Sequence, residues 1–348
     1  MIAVFTSHHF LHAPSKEIIS DGVMEYGESP ERAEMLLNML KEMPGIELIP
    51  ANAFAHNHFR KIHTPQYLEY LETAYAEWTA AGLPAEGVLP EFFALGDLRR
   101  RPPVGSPLGK AGYYMTDSCS MIVEGTWDAV RTSAYAALTG ARYLLQGERF
   151  VFSLCRPPGH HAGRDFAGGY CFLNNAAIAA KFLQDGGDVE PARTRKIAIL
   201  DIDFHHANGT QNIVQRMENM LLVSIHGDPV HAYPYLTGYV SENSEKNINF
   251  PLPEGVADGE YLEVFREAVA ALRSFAAESL VVSLGVDTFE KETLGTFRLS
   301  SGIYRILAEH LLDEIKVPIL IVMEGGYNRE YLAGNVRAFL EPINQSKR

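Results

Sequence analysis

The sequence predicts an α/β fold in which a central, mostly parallel β-sheet carries helices on both faces. Short apolar runs with little polar alternation have the length and composition of buried parallel strands. Stretches of helical character lie between these runs, and such alternation is typical of a parallel sheet covered on both sides. A chain of 348 residues is long enough to bury a large core, and a single domain over residues 1–348 is the simplest organisation.

The predicted elements follow in chain order. A first buried strand covers Ile2 to Phe5. Five further predicted strands are Phe150–Leu154, Ile197–Leu200, Leu221–Ile225, Leu280–Leu284 and Pro318–Met323. The helical stretches between them are Asn174–Leu183, Tyr261–Ala277 and Ser301–Leu312, and the string KIHTPQYLEYLETA in the N-terminal half is also helical in character.

The segment at about 81–112 differs from the rest of the chain. It is rich in glycine and proline and shows little periodicity. A loop of this length inside a compact domain is usually functional or disordered. We interpret it as an insert loop that contributes to an active site or to a subunit contact; a merely mobile insertion is the alternative.

Composition limits the classes of function. The net charge of −13 argues against a nucleic-acid partner and favours a cationic small molecule, although the charge could serve solubility alone. Three cysteines without a CxxC pair fit a reducing compartment. The N-terminus is not typical of a signal peptide, and no apolar run approaches the length of a membrane span. We therefore expect a cytoplasmic protein that does not enter the membrane.

Polar residues follow each of the five later strands. In chain order they are His160 and His161, the Asp201–His205 segment, His226 with Asp228, Asp287, and Tyr327. In open parallel sheets, ligands bind outside the carboxyl ends of the strands. The sequence therefore predicts a functional site at this edge of the sheet.

A metal site is predicted from Asp201, Asp203 and His205. Alternate residues of a strand point the same way, so these three side chains crowd one buried side, where they repel or stay unsatisfied without a cation. Asp287 is the best candidate for a ligand from another strand. Oxygen and imidazole ligands suit zinc, iron, cobalt or manganese. A hydrogen-bond network at the strand end is the alternative, and spacing alone does not choose between the two aspartates.

Two further elements suggest catalysis. His160 and His161 follow a Pro-Pro-Gly turn, and metal binding, proton transfer and plain solvent exposure are all open to them. A hydrolase needs a base to take a proton from water and an acid to protonate the leaving group. In the string Glu-Gly-Gly-Tyr, the glycines permit close backbone approach, and the Tyr327 hydroxyl could donate to a developing oxyanion. A turn with a packing tyrosine is the alternative.

Taken together, these strings resemble the histone deacetylase and acetylpolyamine amidohydrolase superfamily, which implies an arginase/deacetylase-like fold. The matching strings RPPGHHA, GGYCFLNNAAIAA, ILDIDFHHANGTQ, SIHGDP, SLGVDTFE and VMEGGYN run in family order from about Phe152 to Tyr327. Among branches of the superfamily, FSLCRPPGHHAG, DFHH and GDP look most like bacterial acetylpolyamine amidohydrolases.

The resemblance implies a role for each matching residue of the reaction centre. One zinc ion per subunit would be bound by Asp203, His205 and Asp287, and Fe(II) or Co(II) would suit the same ligands. Asp201 would orient His160, and Asn208 would partner His161. One of the two histidines, in this family usually the second, would be the general base.

The resemblance also implies how substrate is held. Tyr327 would polarise the acetyl carbonyl together with the metal. Gly169 would accept a hydrogen bond from the substrate amide, and Tyr170 and Tyr233 would form the walls of a narrow channel. A structural potassium ion is expected near the strand that carries Asp201, Asp203 and His205, with Ser224 contributing.

The match departs from the family at the channel mouth. Leu108 and Cys119 stand where acetylpolyamine amidohydrolases carry acids for the distal ammonium group. The acids available as replacements are Asp97, Asp117, Glu17 and Glu28. We assign Asp117 to substrate binding.

The resulting hypothesis is zinc-dependent hydrolysis of acetylated polyamines such as acetylputrescine, acetylcadaverine or acetylspermidine, giving the free amine and acetate. The resemblance also implies a homodimer. A protein acetyl-lysine deacetylase is the alternative, and it would require an open channel mouth. A non-catalytic binding protein would require a broken metal triad, and a manganese ureohydrolase is disfavoured by the paired histidines and Tyr327.

Overall fold

A computed structural model describes residues 1–19, 22–188 and 194–346 of the protein. Its strands, in chain order, are β1 Ile2–Phe5, β2 Lys16–Ile19, β3 Gly22–Glu25, β4 Glu47–Pro50, β5 Phe150–Ser153, β6 Ile197–Asp201, β7 Met220–Gly227, β8 Asn247–Leu252, β9 Ser279–Leu284 and β10 Ile319–Met323. Within the described residues, eight of them form a parallel sheet in the order β4-β1-β5-β10-β9-β6-β7-β8. Strands β2 and β3 form a separate antiparallel hairpin.

The helices, in chain order, are α1 Pro30–Glu42, α2 Asn57–Arg60, α3 Pro65–Ala80, α4 Pro107–Tyr114, α5 Thr126–Leu145, α6 Asn175–Asp185, α7 Asn208–Val214, α8 Asp258–Phe275, α9 Ile303–Glu314 and α10 Leu332–Gln345. Short 3₁₀ segments cover Ser7–Leu11, Gly96–Arg99 and Val240–Glu242. In the part of the chain that the structure describes, none of these helices has the length and apolar character needed to cross a bilayer.

The sheet separates two hydrophobic clusters. Alternate residues of the central strands enter one cluster or the other: Val151 and Ile199 pack with helices α3, α5, α6 and α7, whereas Phe152 and Leu200 pack with α1, α8, α9 and α10. Side chains of a strand point alternately to its two faces, so a sheet covered on both sides needs apolar residues throughout. The predicted α/β fold with helices on both faces of a mostly parallel sheet is thereby confirmed.

The strands that the sequence missed are those at the margins. Strand β4 ends one edge of the sheet and β8 the other, and the hairpin of β2 and β3 lies outside the sheet. Each of these strands contains exposed or half-buried residues, whereas every residue of β5, β6, β7, β9 and β10 is buried. A continuous apolar run therefore predicted only the strands with two covered faces.

The segment 81–112 is mostly irregular, as predicted, but its last residues differ from the prediction. Helix α4 begins inside it at Pro107. The Ser106 hydroxyl accepts a hydrogen bond from the amide of Gly109 at 3.1 Å, and proline at the first helical position needs no amide partner. Pro107 and Gly109, which contributed to the loop prediction, therefore lie in the first turn of helix α4. We propose that residues 1–348 form one domain, since β1 lies inside the same sheet as β10.

Candidate metal centre and active site

The candidate metal ligands, the paired histidines and Tyr327 lie beyond the carboxyl ends of four strands that are neighbours in the sheet. Strand β5 leads to His160 and His161, β6 to the segment that contains Asp203, β9 to Asp287 and β10 to Tyr327. In a parallel sheet these ends meet at one edge, so residues separated by up to half the chain come into contact.

Asp203, His205 and Asp287 form a compact group, with one possible ligand atom from each lying within 4.8 Å of the others. The His205 Nδ1 atom is 3.2 Å from Asp203 Oδ1 and 3.0 Å from Asp287 Oδ2. The other carboxylate oxygens are held by backbone amides: Asp203 Oδ2 accepts from Gly325, and Asp287 Oδ1 accepts from Phe204, both at 2.8 Å. Asp203 Oδ1, which also accepts from the His205 amide at 2.9 Å, and Asp287 Oδ2 converge on the imidazole.

The electrostatics of this group favour a cation. Burial and the charge of Asp203 raise the pKa of Asp287 to about 7. Burial opposes a charge on His205, but its hydrogen bonds to the two carboxylates and their charges outweigh burial and raise its pKa to about 9. Two buried carboxylates this close need a proton or a positive ion between them. Two oxygens and one imidazole nitrogen fit the ligand preferences of Zn²⁺, Fe²⁺ and Co²⁺.

Gly325 makes room for the metal group. A β-carbon at this position would lie 2.5 Å from Asp203 Oδ2 and 2.6 Å from Asp287 Oδ2. These separations are shorter than van der Waals contact, so any side chain here would displace both carboxylates. The first glycine of the Glu-Gly-Gly-Tyr string is therefore needed for close approach to the two aspartates.

The two histidines have opposite charge preferences. His160 Nδ1 lies 3.3 Å from Asp201 Oδ2, and the charges of Asp203 and Asp201 overcome burial and raise its pKa to about 10. His161 Nδ1 lies 2.6 Å from Asn208 Oδ1. Burial, together with the positive charges of His160 and His205, lowers the pKa of His161 well below its ordinary value. His160 can hold a proton at neutral pH, and His161 can accept one.

Glu324 is a residue of the site that sequence reasoning left without a role. Its Oε2 atom accepts hydrogen bonds from the amides of Gly159 and His160, at 2.7 and 3.2 Å, and Oε1 accepts from the Ser283 hydroxyl at 3.3 Å. Glu324 therefore fixes the turn that carries the paired histidines. A second group that could hold a metal ion is formed by His160, Cys171 and Glu324. The sequence signal that could have identified Glu324 is its position directly after the buried strand β10.

A cavity of about 570 Å³ opens onto these groups. Of the predicted site residues, those that line it are Asp117, His161, Gly169, Tyr170, His205, Tyr233 and Tyr327. Ile18, Ser118, Cys119 and Leu294 also line it. The expected channel walls, the candidate metal ligand His205 and the candidate oxyanion donor Tyr327 thus share one space.

Asp117 braces the wall of this cavity. Its Oδ2 atom accepts hydrogen bonds from the Gly169 amide and the Tyr233 hydroxyl, each at 2.6 Å. Its Oδ1 atom accepts from the amides of Cys119 and Ser120 at 2.9 and 3.2 Å. The carboxylate therefore holds parts of the wall together, in addition to facing the cavity.

The other acids considered for the channel mouth are not among the residues that line the cavity. Glu17 is buried, its Oε1 atom accepts from the Gly27 amide at 3.1 Å, and burial raises its pKa. Glu28 pairs with the buried Arg32 and Arg156, and Asp97 pairs with the exposed Arg100. Among the four candidates, all in the described part of the chain, Asp117 alone borders the cavity.

Arg32 and Glu292 hold Tyr327 from two sides, and sequence reasoning found neither. The Arg32 guanidinium lies 4.7 Å from the centre of the Tyr327 ring and donates to the carbonyl of Gly326 at 2.6 Å. Glu292 accepts a hydrogen bond from the Tyr327 amide at 2.9 Å. Both residues lie far from Tyr327 in the sequence, so only the folded chain reveals these contacts.

Comparison with known proteins identifies the family to which the chain belongs. Residues 26–343 match the family model described as "Histone deacetylase domain". The chain is 39% identical over 341 residues to acetylpolyamine amidohydrolase 1 of Pseudomonas aeruginosa, covering 96% of each chain, and 37% identical over 350 residues to the acetylpolyamine amidohydrolase of Mycoplana ramosa, covering 99% of each. A crystal structure of acetylpolyamine aminohydrolase from Burkholderia pseudomallei superposes with a TM-score of 0.92, at 33% identity and 99% coverage of both chains. These similarities confirm the resemblance seen in the motifs.

Proposed function

Because the chain belongs to the histone deacetylase family, we propose that it hydrolyses the acetamide bond of acetylated polyamines and releases acetate and the free amine. The observation that carries this proposal is the meeting of His161, His205 and Tyr327 in one cavity beside two buried carboxylates. Such a set combines a candidate metal ligand, a proton acceptor and a hydroxyl donor, which are the parts that amide hydrolysis requires.

Asp203, His205 and Asp287 would hold one metal ion, which we take to be zinc, with Fe²⁺ and Co²⁺ suited to the same atoms. When bound, it would supply Lewis-acid catalysis at the acetyl group. His161 would take a proton from the attacking water at Nε2, because its Nδ1 atom, hydrogen-bonded to the Asn208 side-chain oxygen, carries the other hydrogen.

His160 and Tyr327 would act on the negative charge that develops on the carbonyl oxygen, and His160 could also supply the proton that the leaving amine needs. The Tyr327 hydroxyl would donate a hydrogen bond to the carbonyl oxygen as that oxygen gains negative charge. His160, held by Asp201, would keep its proton and stabilise this charge, in which case His161 passes the proton that it took from water to the leaving amine; alternatively, His160 would itself protonate the amine. Water supplies the oxygen that becomes part of acetate, and the nitrogen leaves as the amine.

The cavity suits a slim, flexible amine. Tyr170 and Tyr233 would flank its methylene chain, and the Gly169 carbonyl would accept the hydrogen bond of the acetamide N–H. The Asp117 carboxylate would attract the distal ammonium group from the wall of the cavity. The net charge of −13 adds a long-range attraction for such a cation.

Four further properties belong to the proposal. Exposed apolar side chains on the insert, with Leu95 and Leu98 about 72% and 74% exposed, support a contact with a second copy of the chain, as in a homodimer. Asp201 and Ser224 are buried neighbours in β6 and β7, which supports a structural potassium ion there. Three unpaired cysteines support a cytoplasmic location. The acidic net charge supports a small-molecule partner in place of a nucleic acid.

The test compares kcat/KM for acetylcadaverine, acetylspermidine and an acetyl-lysine peptide on the zinc-loaded enzyme. We expect a large preference for the free acetylpolyamines. N-hexylacetamide, which carries a methyl group in place of the ammonium group of acetylcadaverine, is the matched control substrate, and it should react at least about tenfold more slowly if a charged carboxylate recognises the cation. A preference for the peptide would favour a protein deacetylase. The absence of an acid at Cys119 would then explain the weak recognition of the distal ammonium group.

A further inference from the structure

We propose that Glu292 is a positioning residue for the reaction, because its carboxylate holds the backbone that carries Tyr327. A single oxygen, Glu292 Oε2, accepts hydrogen bonds from two consecutive amides, those of Tyr327 at 2.9 Å and Asn328 at 3.1 Å. Hydrogen bonds to a charged acceptor are about twice as strong as those between neutral groups. This inference rests on the proposed function, in which the Tyr327 hydroxyl donates to the substrate.

The backbone at Tyr327 needs such an anchor. Strand β10 ends at Met323 and helix α10 begins only at Leu332, so the residues between them lack regular structure. Gly325 and Gly326 directly precede the tyrosine, and Gly326 has a φ angle of 125°, which other residues rarely adopt. Asp203 binds the Gly325 amide and Arg32 binds the Gly326 carbonyl, and Glu292 supplies the next attachment, at the amides of Tyr327 and Asn328.

Glu292 belongs to a larger attachment between two loops. The Asn328 side-chain amide donates to the carbonyl of Lys291 at 2.6 Å, and the Lys291 ammonium donates to the Tyr331 hydroxyl at 2.8 Å. The ring of Tyr331 lies 4.9 Å from that of Phe289, measured between ring centres. The loop that follows β9 and the loop that follows β10 are thereby joined along their length.

This attachment connects the candidate metal ligand to the candidate oxyanion donor. Asp287 lies at the start of the loop after β9, Glu292 lies five residues later, and Leu294 and Thr296 of the same loop line the cavity. The short stretch of chain from Asp287 to Glu292 thereby fixes the position of Tyr327 relative to the metal group. A displacement of about 1 Å at a reacting group can lower a rate about 10²-fold.

Arg32 and Glu292 restrain different parts of Tyr327. The Arg32 guanidinium lies over the ring, whereas Glu292 binds the amide, so together they limit both the direction of the ring and the position of its backbone. Removing Glu292 would leave the ring contact and the hydrogen bond from Arg32 to the Gly326 carbonyl in place, and it would release the amides of Tyr327 and Asn328. The expected defect is therefore a poorly placed hydroxyl in a folded protein.

The first test is Glu292→Ala, which we expect to lower kcat about 10- to 100-fold while KM stays within about twofold. Glu292→Gln keeps an acceptor oxygen and should retain kcat within about fivefold of wild type. Glu290→Ala is the matched control, because Glu290 is an exposed acid on the same loop, and it should behave as wild type. A value of kcat for Glu292→Ala equal to that of Glu290→Ala, or for Glu292→Gln as low as that of Glu292→Ala, would overturn the proposal.

The decisive test is a double-mutant cycle with Tyr327→Phe. If Glu292 acts by placing the Tyr327 hydroxyl, Glu292→Ala should lower kcat less than about threefold once that hydroxyl is absent. A purely structural role would give the same loss in both backgrounds, and that result would overturn the inference.

Hydrogen exchange of the metal-free protein tests the contact without any activity measurement. The amides of Tyr327 and Asn328 should exchange faster in Glu292→Ala than in Glu290→Ala, and equal rates would overturn the inference. A wild-type enzyme that hydrolyses no acetamide would instead overturn the proposed function, while faster exchange would still support the anchor.

Discussion

Replacing Tyr327 by phenylalanine removes one hydroxyl group from the cavity and leaves the aromatic ring in place. The ring lies under the Arg32 guanidinium at 4.7 Å and 5.5 Å from the ring of Tyr170. The amide remains bound to Glu292. None of these contacts involves the hydroxyl, so we expect the fold and the metal group to be preserved in Tyr327→Phe.

The magnitude follows from what the hydroxyl is proposed to do. Loss of one preorganised donor to a developing oxyanion typically lowers kcat about 10²–10³-fold, or roughly 2.7–4 kcal/mol of transition-state stabilisation. The ground-state carbonyl carries less charge than the transition state, so KM should change much less than kcat. Burial keeps the pKa of Tyr327 well above its ordinary value, so the hydroxyl retains its proton throughout the working pH range.

The assay measures acetate release from acetylcadaverine, metal content and the thermal midpoint on the same preparations. We expect normal metal content, a thermal midpoint close to that of wild type and greatly reduced kcat. Full activity would refute the role assigned to the hydroxyl. Loss of metal or of thermal stability together with loss of activity would refute the expectation that the hydroxyl contributes neither to the fold nor to the metal group.

Three further predictions concern other parts of the site. Gly325→Ala places a methyl group against Asp203 and Asp287, and it should weaken metal binding about 10- to 100-fold in a titration with a competing chelator. His161→Ala removes the proposed base, and it should lower kcat about 10²–10⁴-fold at unchanged metal content. Glu17→Gln concerns stability: burial raises the folded-state pKa of Glu17 above 4.5, so folding loses stability as pH rises through that window. The thermal midpoint of Glu17→Gln, relative to wild type, should therefore increase between pH 4.5 and neutral pH.

Each of these predictions has a contradicting result. Gly334→Ala is the matched control for Gly325→Ala, because a β-carbon at Gly334 meets nothing within 4 Å, and equal metal affinity of the two variants would contradict the steric argument. Wild-type turnover in His161→Ala would remove the residue from the mechanism. A difference in midpoint between Glu17→Gln and wild type that does not change with pH would show that Glu17 does not titrate as its burial implies.

The residues at the strand ends were predictable because a local pattern places them. A buried strand that ends in Asp201 and continues to Asp203 and His205 has polar side chains at a position where ligands bind, whatever the rest of the fold. The same reasoning indicated Asp287. The choice between Asp201 and Asp203 was not available from spacing; in the structure Asp203, and not Asp201, stands with His205 and Asp287 in the metal group.

The supporting residues were not predictable, because their roles depend on contacts across the chain. Arg32 reaches Tyr327 from helix α1, and Glu292 reaches it from the loop after β9. Neither residue has a local pattern that distinguishes it from a surface charge. The exposed hairpin of β2 and β3 was missed for a related reason, since its residues lack the apolar run of a doubly covered strand.

The metal site formed by Asp203, His205 and Asp287 is tested by measuring metal content and acetate release from acetylcadaverine in wild type and Asp287→Ala. We expect about one metal ion per chain and turnover in wild type, and loss of most metal and all activity in the variant. Asp228→Ala, directly after strand β7 of the same sheet, should keep both. Retained activity in Asp287→Ala, with stoichiometric metal bound elsewhere, would contradict the assignment of Asp203, His205 and Asp287 as the catalytic metal site.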